Sequence, residues 1–285
     1  MISADAAAAR PVRVEEATMT ITDQEFVLFQ RFIHDAAGIA LSVSKKALVS
    51  SRLASRLSSR GLRTFGEYFK VLSSGQDAGE VQVAIDLMTT NETYFFREAR
   101  HFEVLREQAM QARGRGQPFR VWSAACSTGE EPYSIAMVLA ATMPHTPFEV
   151  LGSDISSRVL DRARTGLYPL SRTTHVPKIY LQQYCLRGTQ QQEGTVLVDR
   201  ALRQRVRFMQ INLNTTLPRI GPFDVIFLRN VLIYFDATTK REVVERVLSV
   251  LKPGGHLMIG HSESLHGLDL GVVALAPSIY RKPGP

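Results

Sequence analysis

The stretch FRVWSAACSTGEEPYSIAM, residues 119–137, decides the fold class. Its first seven residues are mostly apolar, which predicts a buried strand, and the residues from Gly129 to Met143 predict a helix. The loop between them, SAACSTG, consists of small residues that let a ligand approach the backbone closely. It has neither the GxGxxG nor the GxxxxGK[ST] pattern of nucleotide-binding loops. The stretch predicts one strand–loop–helix unit of an α/β protein, with a plain turn as the alternative for the loop.

Strands and helices alternate along the rest of the chain. Such alternation is typical of a doubly wound, mainly parallel sheet. The predicted strands are FEVLGSDI (148–155), VRFMQIN (206–212), FDVIFLRN (223–230) and, after a KPGG turn (252–255), HLMIGHS (256–262); the predicted helices are residues 97–113, 156–166 and 240–251. The final VVALAPSIYRK (272–282) is predicted to return as an antiparallel hairpin strand. Residues 168–205 are polar and do not fit the alternation, so we interpret them as a small insertion.

The N-terminal part of the chain has the pattern of a helical domain. The apolar positions of its second predicted helix recur at intervals of four, which places them on one face, at Val49, Leu53 and Leu57. The first 20 residues are alanine-rich and aperiodic, which predicts a mobile tail. We therefore expect a tail over residues 1–20, an all-helical domain over 21–90, and an α/β domain over 91–285 that contains the 168–205 insertion.

A ridge of basic side chains runs beside this apolar face, and we call it the arginine ridge. It consists of Lys45, Arg52, Arg56 and Arg60. Residues 36–66 contain no acid, whereas solvated faces normally mix both signs. The whole chain carries a net charge of +7. We expect the ridge to dock a negatively charged partner; a solvated face without a partner is the alternative.

The composition argues against several classes of protein. No apolar run approaches the roughly 20 residues of a transmembrane helix, and charges interrupt the alanine-rich N-terminus where a signal peptide needs an apolar core. Cys126 and Cys185 are too few for a disulfide framework, and the seven histidines show no metal-ligand spacing. We therefore expect a cytoplasmic location, no membrane insertion and no metal site.

Polar side chains follow the predicted strands, at the edge where open α/β sheets bind ligands. Asp154 ends the second strand, where an acid accepts hydrogen bonds from ribose hydroxyls, with a helix cap as the alternative. Asn212 and Leu213 follow the third strand and suit the edge and face of an adenine, or form a simple turn. Asn230 and Tyr234 follow the fourth strand, where a core tyrosine is the alternative. Together these residues suit an adenosine ligand without a triphosphate, and S-adenosylmethionine is the natural candidate.

Several motifs in combination give the chain a specific resemblance from about residue 22 to the C-terminus. It resembles the bacterial chemotaxis receptor methyltransferases, the CheR family, through NETYFFRE (91–98), WSAACSTGEEPYSIAM (122–137), GSDIS (152–156), FDVIFLRNVLIYFD (223–236) and LKPGGHLMIGHSESL (251–265). The resemblance implies a helical N-terminal domain, a class I methyltransferase domain and a small antiparallel β-subdomain at the insertion. It also implies methyl transfer from S-adenosylmethionine to glutamate side chains on chemoreceptor helices.

The resemblance assigns NETYFFRE to the mouth of the cofactor site. With Gly129 of the small-residue loop, the expected cofactor residues are Asn91, Thr93, Arg97, Gly129, Glu130, Asp154, Asn212, Leu213, Asn230 and Val231. The expected catalytic residues are Arg97 and Tyr234. Arg97 pairs either with the incoming glutamate or with the carboxylate of the cofactor, and Tyr234 orients the glutamate. A glutamate is already ionised at neutral pH, so no general base is required.

Two other functions compete with this interpretation. A nucleic-acid methyltransferase would use the positive charge on phosphates, but such enzymes usually carry an Asn/Asp-Pro-Pro-aromatic tetrapeptide where this chain has RNVLIYF (229–235). A non-catalytic regulator would be indicated by the loss of Arg97 or Tyr234, and both are present. We expect the partners to be chemoreceptor helices, with a receptor C-terminal peptide at RGTQQQEG (187–194) as a second contact. We expect a monomer and no nucleic-acid partner.

Overall fold

A computed structural model describes residues 20–284 of the chain. The predicted mobile tail over residues 1–20 lies outside the described residues, apart from Thr20. None of the helices in residues 20–284 combines the length and the apolar character that a membrane span requires.

The N-terminal part of the described chain is helical. Its helices are α1 (Asp23–Ala37), α2 (Lys46–Ser59), α3 (Phe65–Ser73) and α4 (Ala78–Met88), with a short 3-10 turn at Val43–Lys45. Thr22 begins α1 through a capping box, in which its hydroxyl accepts from the Glu25 N–H and the Glu25 carboxylate accepts from the Thr22 N–H. The predicted apolar face of α2 is confirmed, because Val49, Leu53 and Leu57 are all buried in the core of these helices.

Strands and helices alternate after residue 98, as the sequence predicts. The helices are α5 (Ala99–Gln111), α6 (Glu130–Thr142), α7 (Ser157–Thr165), α8 (Lys178–Tyr184), α9 (Arg200–Arg203) and α10 (Ala237–Ser249). The strands are β1 (Phe119–Ser123), β2 (Phe148–Asp154), β3 (Leu167–Pro169), β4 (Cys185–Arg187), β5 (Thr195–Val198), β6 (Val206–Gln210), β7 (Phe223–Leu228), β8 (Leu251–Ile259), β9 (Val273–Ala276) and β10 (Ile279–Arg281).

The main sheet has the order β6-β2-β1-β7-β8-β10-β9 within residues 20–284. Strands β6, β2, β1, β7 and β8 are parallel, and β10 and β9 form the predicted antiparallel hairpin at one edge. The chain progresses outward from β1 in both directions, so the direction of winding reverses between β1 and β7. In such sheets the reversal opens a crevice beyond the carboxyl ends of the strands, and this crevice is where ligands bind.

The predicted insertion forms its own small sheet. Its strands have the order β3-β5-β4 and are antiparallel. Tyr168 and Val198 belong to the main core, whereas Leu186 is exposed. The outer edges of β3 and β4 are the margins of this sheet in the described part of the chain.

The predicted KPGG turn is a bulge inside a strand rather than a separate turn before it. Residues 252–255 lie inside β8, which begins at Leu251 opposite Phe223 and shifts its register before Val225. The N–H of Gly254 donates to the carbonyl of Lys282, at 2.9 Å. The C-terminal segment therefore supplies a partner to the glycine-rich backbone, which sequence pattern alone does not reveal.

The helical domain is fastened to the α/β domain where the main sheet opens. The segment after α1 forms an antiparallel bridge between Ile39 and Phe235, and the Ala40 N–H donates to the Tyr234 carbonyl at 2.8 Å. The Asn212 amide donates to the carbonyl of Ala36 at 2.7 Å. These contacts hold the end of α1 over the carboxyl ends of the strands.

Candidate active site

A cleft of about 570 Å³ lies between the carboxyl ends of the strands and the end of the helical domain. This volume is within the range of roughly 300–1,000 Å³ that small-molecule sites occupy. Strands β1, β2, β6 and β7 all end at its floor. The residues lining it include Lys45, Leu48, Asn91, Thr93, Tyr94, Arg97, Ser127, Glu131, Asp154, Asn212, Leu213, Arg229, Asn230, Val231, Ile233 and Tyr234.

Aromatic side chains anchor NETYFFRE at the cleft. Phe95 is buried and contacts the Tyr168 ring edge-on, with 5.0 Å between ring centroids. Phe96 stacks on Tyr180 at 5.5 Å and has a positive φ of 56°. Such a backbone is strained for a side chain of this size and persists only where packing enforces it. The anchored aromatics thus set the path of the chain that carries Asn91, Thr93 and Arg97 to the cleft.

Arg97 extends along one wall of the cleft. Its Nη1 donates to the Glu92 carbonyl at 3.2 Å, and its guanidinium lies 5.6 Å from the centre of the Tyr94 ring. Within residues 20–284 the guanidinium of Arg97 forms no ion pair with a carboxylate. It therefore retains donors for a carboxylate that enters the cleft.

Tyr234 also lines the cleft, in the 3-10 turn Leu232–Tyr234. Burial raises the pKa of its hydroxyl, although the positive charges of Arg97 and Arg52 oppose the rise. The hydroxyl is therefore protonated at neutral pH and can donate a hydrogen bond.

Asp154 ends β2 and is almost fully buried at the floor of the cleft. Its carboxylate accepts from the N–H groups of Ser127, at 2.8 Å, and Ser156, at 3.0 Å. Burial raises the pKa of this carboxyl, and the two backbone donors oppose the rise. Ser156, rather than Asp154, occupies the N-cap position of α7, and the carboxylate of Asp86 accepts from the N–H groups of Ser157 and Arg158. The remaining lone pairs of Asp154 leave it able to accept from a ligand.

Asn212 has a role that the sequence did not reveal. Its Nδ2 donates to the Ala36 carbonyl and its Oδ1 accepts from the Asn214 N–H at 2.9 Å. The side chain thus links the two domains, while one Nδ2 hydrogen stays available. Leu213 lies beside it and lines the cleft, as the adenine-cover hypothesis requires.

The structure does not bring Gly129 and Glu130 to the lining of the cleft. A Cβ on Gly129, which has a φ of +95°, would lie 2.8 Å from the Cβ of Ala163, so this glycine allows α6 and α7 to pack closely. Glu130 is fully buried, and its carboxylate is paired with Arg172. Glu131 lies at the cleft in its place.

A buried ionic cluster that the sequence did not predict lies behind Arg97. The Arg229 guanidinium pairs with Glu131 at 2.7 Å and with Glu98 at 3.0 Å, and it also donates to the Arg97 carbonyl. Burial raises the pKa of Glu131, and Arg229 opposes the rise. Arg229 therefore ties the backbone of NETYFFRE to the end of β7. The only sequence signal for it was a charged residue directly after an apolar strand.

Glu263 organises the loop after β7. Its carboxylate accepts from the N–H groups of Asn230, at 2.9 Å, Gly260, at 2.6 Å, and Ile233, at 3.3 Å. Asn230 has a positive φ of 57°. Glu263 thereby holds the strained loop that presents Asn230 and Val231 to the cleft and continues into the turn of Tyr234. It lies in the quoted GHSES motif, but nothing in the sequence indicated its partners.

The arginine ridge is mostly engaged within the helical domain. Arg52 donates to the carbonyls of Met88 and Thr89, at 3.2 and 2.9 Å. Arg56 and Arg60 both pair with Glu80, whose side chain is buried. The ridge hypothesis rested on the lack of acids in residues 36–66. That segment contains none, but Glu80 of α4 pairs with Arg56 and Arg60, and Asp77 also pairs with Arg60, so the missing acids do not require an external partner. A docking role for these arginines stays a prediction.

Lys45 differs from the arginines of the ridge, since it lines the cleft itself. It stands at the end of the 3-10 turn before α2, close to the opening rather than along the helix.

The absence of a metal site also stays a prediction. Potential ligand atoms of Glu98, His101 and His261 lie within 4.8 Å of one another. Arg229 already donates to Glu98 Oε2 at 3.3 Å, so a cation would have to lie beside a guanidinium. We therefore assign no metal to this group.

The sheet order and the cleft beyond β1, β2, β6 and β7 define a class I methyltransferase fold, preceded by an all-helical domain and carrying a small antiparallel subdomain. The family described as "CheR methyltransferase, SAM binding domain" matches residues 91–273, and "CheR methyltransferase, all-alpha domain" matches residues 24–89. The chain belongs to the CheR methyltransferase family, and its α/β domain is the S-adenosylmethionine-binding domain of that family.

Named relatives agree with this assignment. The chain is 44% identical over 267 residues to the chemotaxis protein methyltransferase of Escherichia coli, and the matched region covers 92% of each chain. It is 42% identical over 262 residues to chemotaxis protein methyltransferase 2 of Pseudomonas aeruginosa, covering 91% of this chain and 93% of that one. A solved structure, N-methyltransferase NodS of Bradyrhizobium japonicum with S-adenosyl-l-homocysteine, is 17% identical with a TM-score of 0.33, covering 61% of this chain and 68% of that one. A likeness this low adds nothing to the assignment.

Proposed function

We propose that the protein transfers a methyl group from S-adenosylmethionine to glutamate side chains of chemotaxis receptors, producing glutamate methyl esters for sensory adaptation. The observation that carries the proposal is the presence of two hydrogen-bond donors, Arg97 and Tyr234, in one cleft. The Arg97 guanidinium has no carboxylate partner within residues 20–284, and the Tyr234 hydroxyl, an ordinary phenol donor at neutral pH, lines the same cleft. Both donors suit an ionised carboxylate.

The residues of the cleft fit S-adenosylmethionine. Asp154 offers a buried carboxylate for ribose hydroxyls, and Leu213 offers an apolar surface for adenine. Asn91, Thr93 and Asn230 supply polar groups around the remaining space. Glu131, which lines the cleft, replaces Glu130 as the acidic residue that we propose for the cofactor ammonium. These assignments, like the domain limits 21–90 and 91–285, are proposals.

The chemistry requires alignment rather than proton removal. The glutamate is ionised at neutral pH, since its ordinary pKa is about 4.3. One of its oxygens bonds to the methyl carbon as the methyl–sulfur bond breaks, and the electron pair of that bond stays on sulfur. No proton is released, because a carboxylate and a sulfonium react to give a neutral ester and a neutral thioether. S-adenosylmethionine supplies the activated methyl group.

In this reaction Arg97 and Tyr234 position the acceptor. Correct alignment of two reacting groups can contribute roughly 7–11 kcal/mol. Tyr234 donates its hydroxyl hydrogen to the glutamate. Arg97 pairs either with the same glutamate or with the cofactor carboxylate, and both arrangements place its charge at the same wall of the cleft.

The proposed partners are the cytoplasmic helices of chemoreceptors. A receptor C-terminal peptide is a second proposed contact, and the β-subdomain supports it through the edge of β4 and the exposed Leu186. Sheet edges of this kind bind extended peptides by strand addition. We also propose a cytoplasmic monomer that contacts neither nucleic acid nor the bilayer interior.

The experiment is incubation of the full chain with radiolabelled S-adenosylmethionine and receptor fragments. We expect label on the fragment that base releases as methanol, because methyl esters hydrolyse where methylated amines do not. A fragment with its glutamates changed to alanine is the control and should stay unlabelled. Cofactor binding without base-labile label would refute the proposal, and base-stable label in added nucleic acid would favour the competing function.

A further inference from the structure

Apolar side chains are exposed together around the mouth of the cleft. Val43 is 72% exposed in the 3-10 turn before α2, and Ile233 is 51% exposed beside Tyr234. Leu48 and Tyr94 are also exposed and line the cleft. We call Val43, Leu48, Tyr94 and Ile233 the apolar rim. Leu48, Tyr94 and Ile233 line the same cleft, and exposed apolar side chains grouped in this way mark a contact site more often than isolated residues do.

Backbone pairing brings the parts of the apolar rim to one opening. The bridge between Ile39 and Phe235 and the Ala40–Tyr234 hydrogen bond align the chain before Val43 with the chain that carries Ile233. Both segments border the same cleft. The rim therefore combines side chains from the helical domain and the α/β domain at the entrance to the Tyr234 hydroxyl.

Charges of both signs line the cleft. Lys45, which stands between Val43 and Leu48 in the sequence, and Arg97 supply positive charge, and the exposed Glu92 supplies negative charge. A partner that enters here must present apolar surface to the rim, negative charge near Lys45, and a carboxylate long enough to reach Arg97. An amphipathic helix with glutamates beside its apolar face has these features, because residues at i, i+3 and i+4 lie on one side.

We infer that the apolar rim docks the apolar flanks of an acidic, amphipathic helix and so selects the glutamate that enters the cleft. This inference rests on the proposed function, since it names how the substrate is held at the same site. A short side chain such as glutamate enters the cleft only if its helix lies directly on the mouth. Rim contacts therefore set the affinity for the helix, whereas Arg97 and Tyr234 act on the carboxylate.

The test is the double variant Val43→Ser and Leu48→Ser in the full chain. Its matched control is Val273→Ser with Leu275→Ser, since these side chains are 46% and 47% exposed on β9, away from the cleft. Methylation of a receptor fragment gives KM and kcat, and calorimetry gives the Kd for S-adenosylmethionine. We expect the rim variant to raise KM about five- to thirtyfold, from partial loss of two apolar contacts. We expect the control to keep the wild-type KM and both variants to keep the cofactor Kd.

Salt concentration separates the apolar contact from charge attraction. The rise in KM should persist at high ionic strength, because salt screens exposed charges and leaves apolar burial intact. An unchanged KM in the rim variant would overturn the inference, and so would a rise in KM that disappears at high salt. Neither result would affect the proposed function, provided that the wild type methylates the receptor fragment. A wild type that binds cofactor but never methylates the fragment would instead refute the proposed function. A change only in self-association, seen by ultracentrifugation, would assign the rim to contacts between copies.

Discussion

Glu263 is expected to control turnover through the position of Tyr234. The substitution Glu263→Gln replaces a carboxylate that accepts from the N–H groups of Asn230, Gly260 and Ile233. The N–H groups of Asn230 and Gly260 both donate to Oε2 of Glu263. The amide oxygen of glutamine keeps both hydrogen bonds only if it occupies the position of Oε2. Its NH2 group then faces the Ile233 N–H, and that hydrogen bond is lost.

The size of the effect follows from the lost bond. A hydrogen bond to a charged acceptor contributes about 1.5–3 kcal/mol. If this energy serves to hold the turn of Tyr234 in its reactive position, turnover should fall about 10- to 150-fold. The Kd for cofactor should rise less, because Asp154 and the other cleft residues remain in place. Glu245→Gln is the matched control, since Glu245 is an exposed glutamate on α10.

The assay is methyl transfer at saturating cofactor and receptor, combined with urea unfolding to confirm that the variants are folded. Tyr234→Phe should lower turnover while cofactor affinity holds. In the Tyr234→Phe background, Glu263→Gln should have a much smaller effect than in the wild type. Effects of the two substitutions that add within about 0.5 kcal/mol would refute the reasoning, because independent sites behave that way.

Further outcomes concern the cofactor, the ridge and the domain contact. Asp154→Ala should weaken S-adenosylmethionine binding in calorimetry by about 1–3 kcal/mol. An unchanged affinity would mean that Asp154 holds the surrounding loop and does not bind the cofactor. Arg56→Ala should lower the free energy of unfolding in urea by about 1–3 kcal/mol, since it removes two hydrogen bonds from the buried Glu80. An unchanged unfolding curve with a raised KM for receptor would instead favour the docking role. Hydrogen bonding to Asp236 raises the pKa of His34 above 6.5. The contact therefore stabilises the folded state fully below pH 6.5, and this stabilisation is lost as the pH rises through the folded-state pKa. His34→Gln should therefore reduce the melting temperature more at about pH 6 than at about pH 9, and an equal reduction at both would contradict the assignment.

Local patterns in the sequence determined the elements and the edge at which the cleft forms. Residues 119–137 have the apolar run, the small-residue loop and the helical segment that become β1 and α6. Asp154 and Asn230 follow apolar strands, and parallel strands bring their carboxyl ends to one edge of the sheet. The motifs also indicated the family before any contact was known. These features were predictable because each depends on residues close together in the chain.

Tertiary structure alone decided which polar groups meet. Glu130 and Glu131 are adjacent and chemically identical, yet packing of α6 directs one to Arg172 and the other to the cleft. The arginine ridge lacks acids along its own segment, but Glu80 reaches it from α4. An unpaired charge is costly to bury, so each of these groups needs a partner. The packing of distant segments decides which partner comes within hydrogen-bond distance. The order of residues in the chain does not specify that partner.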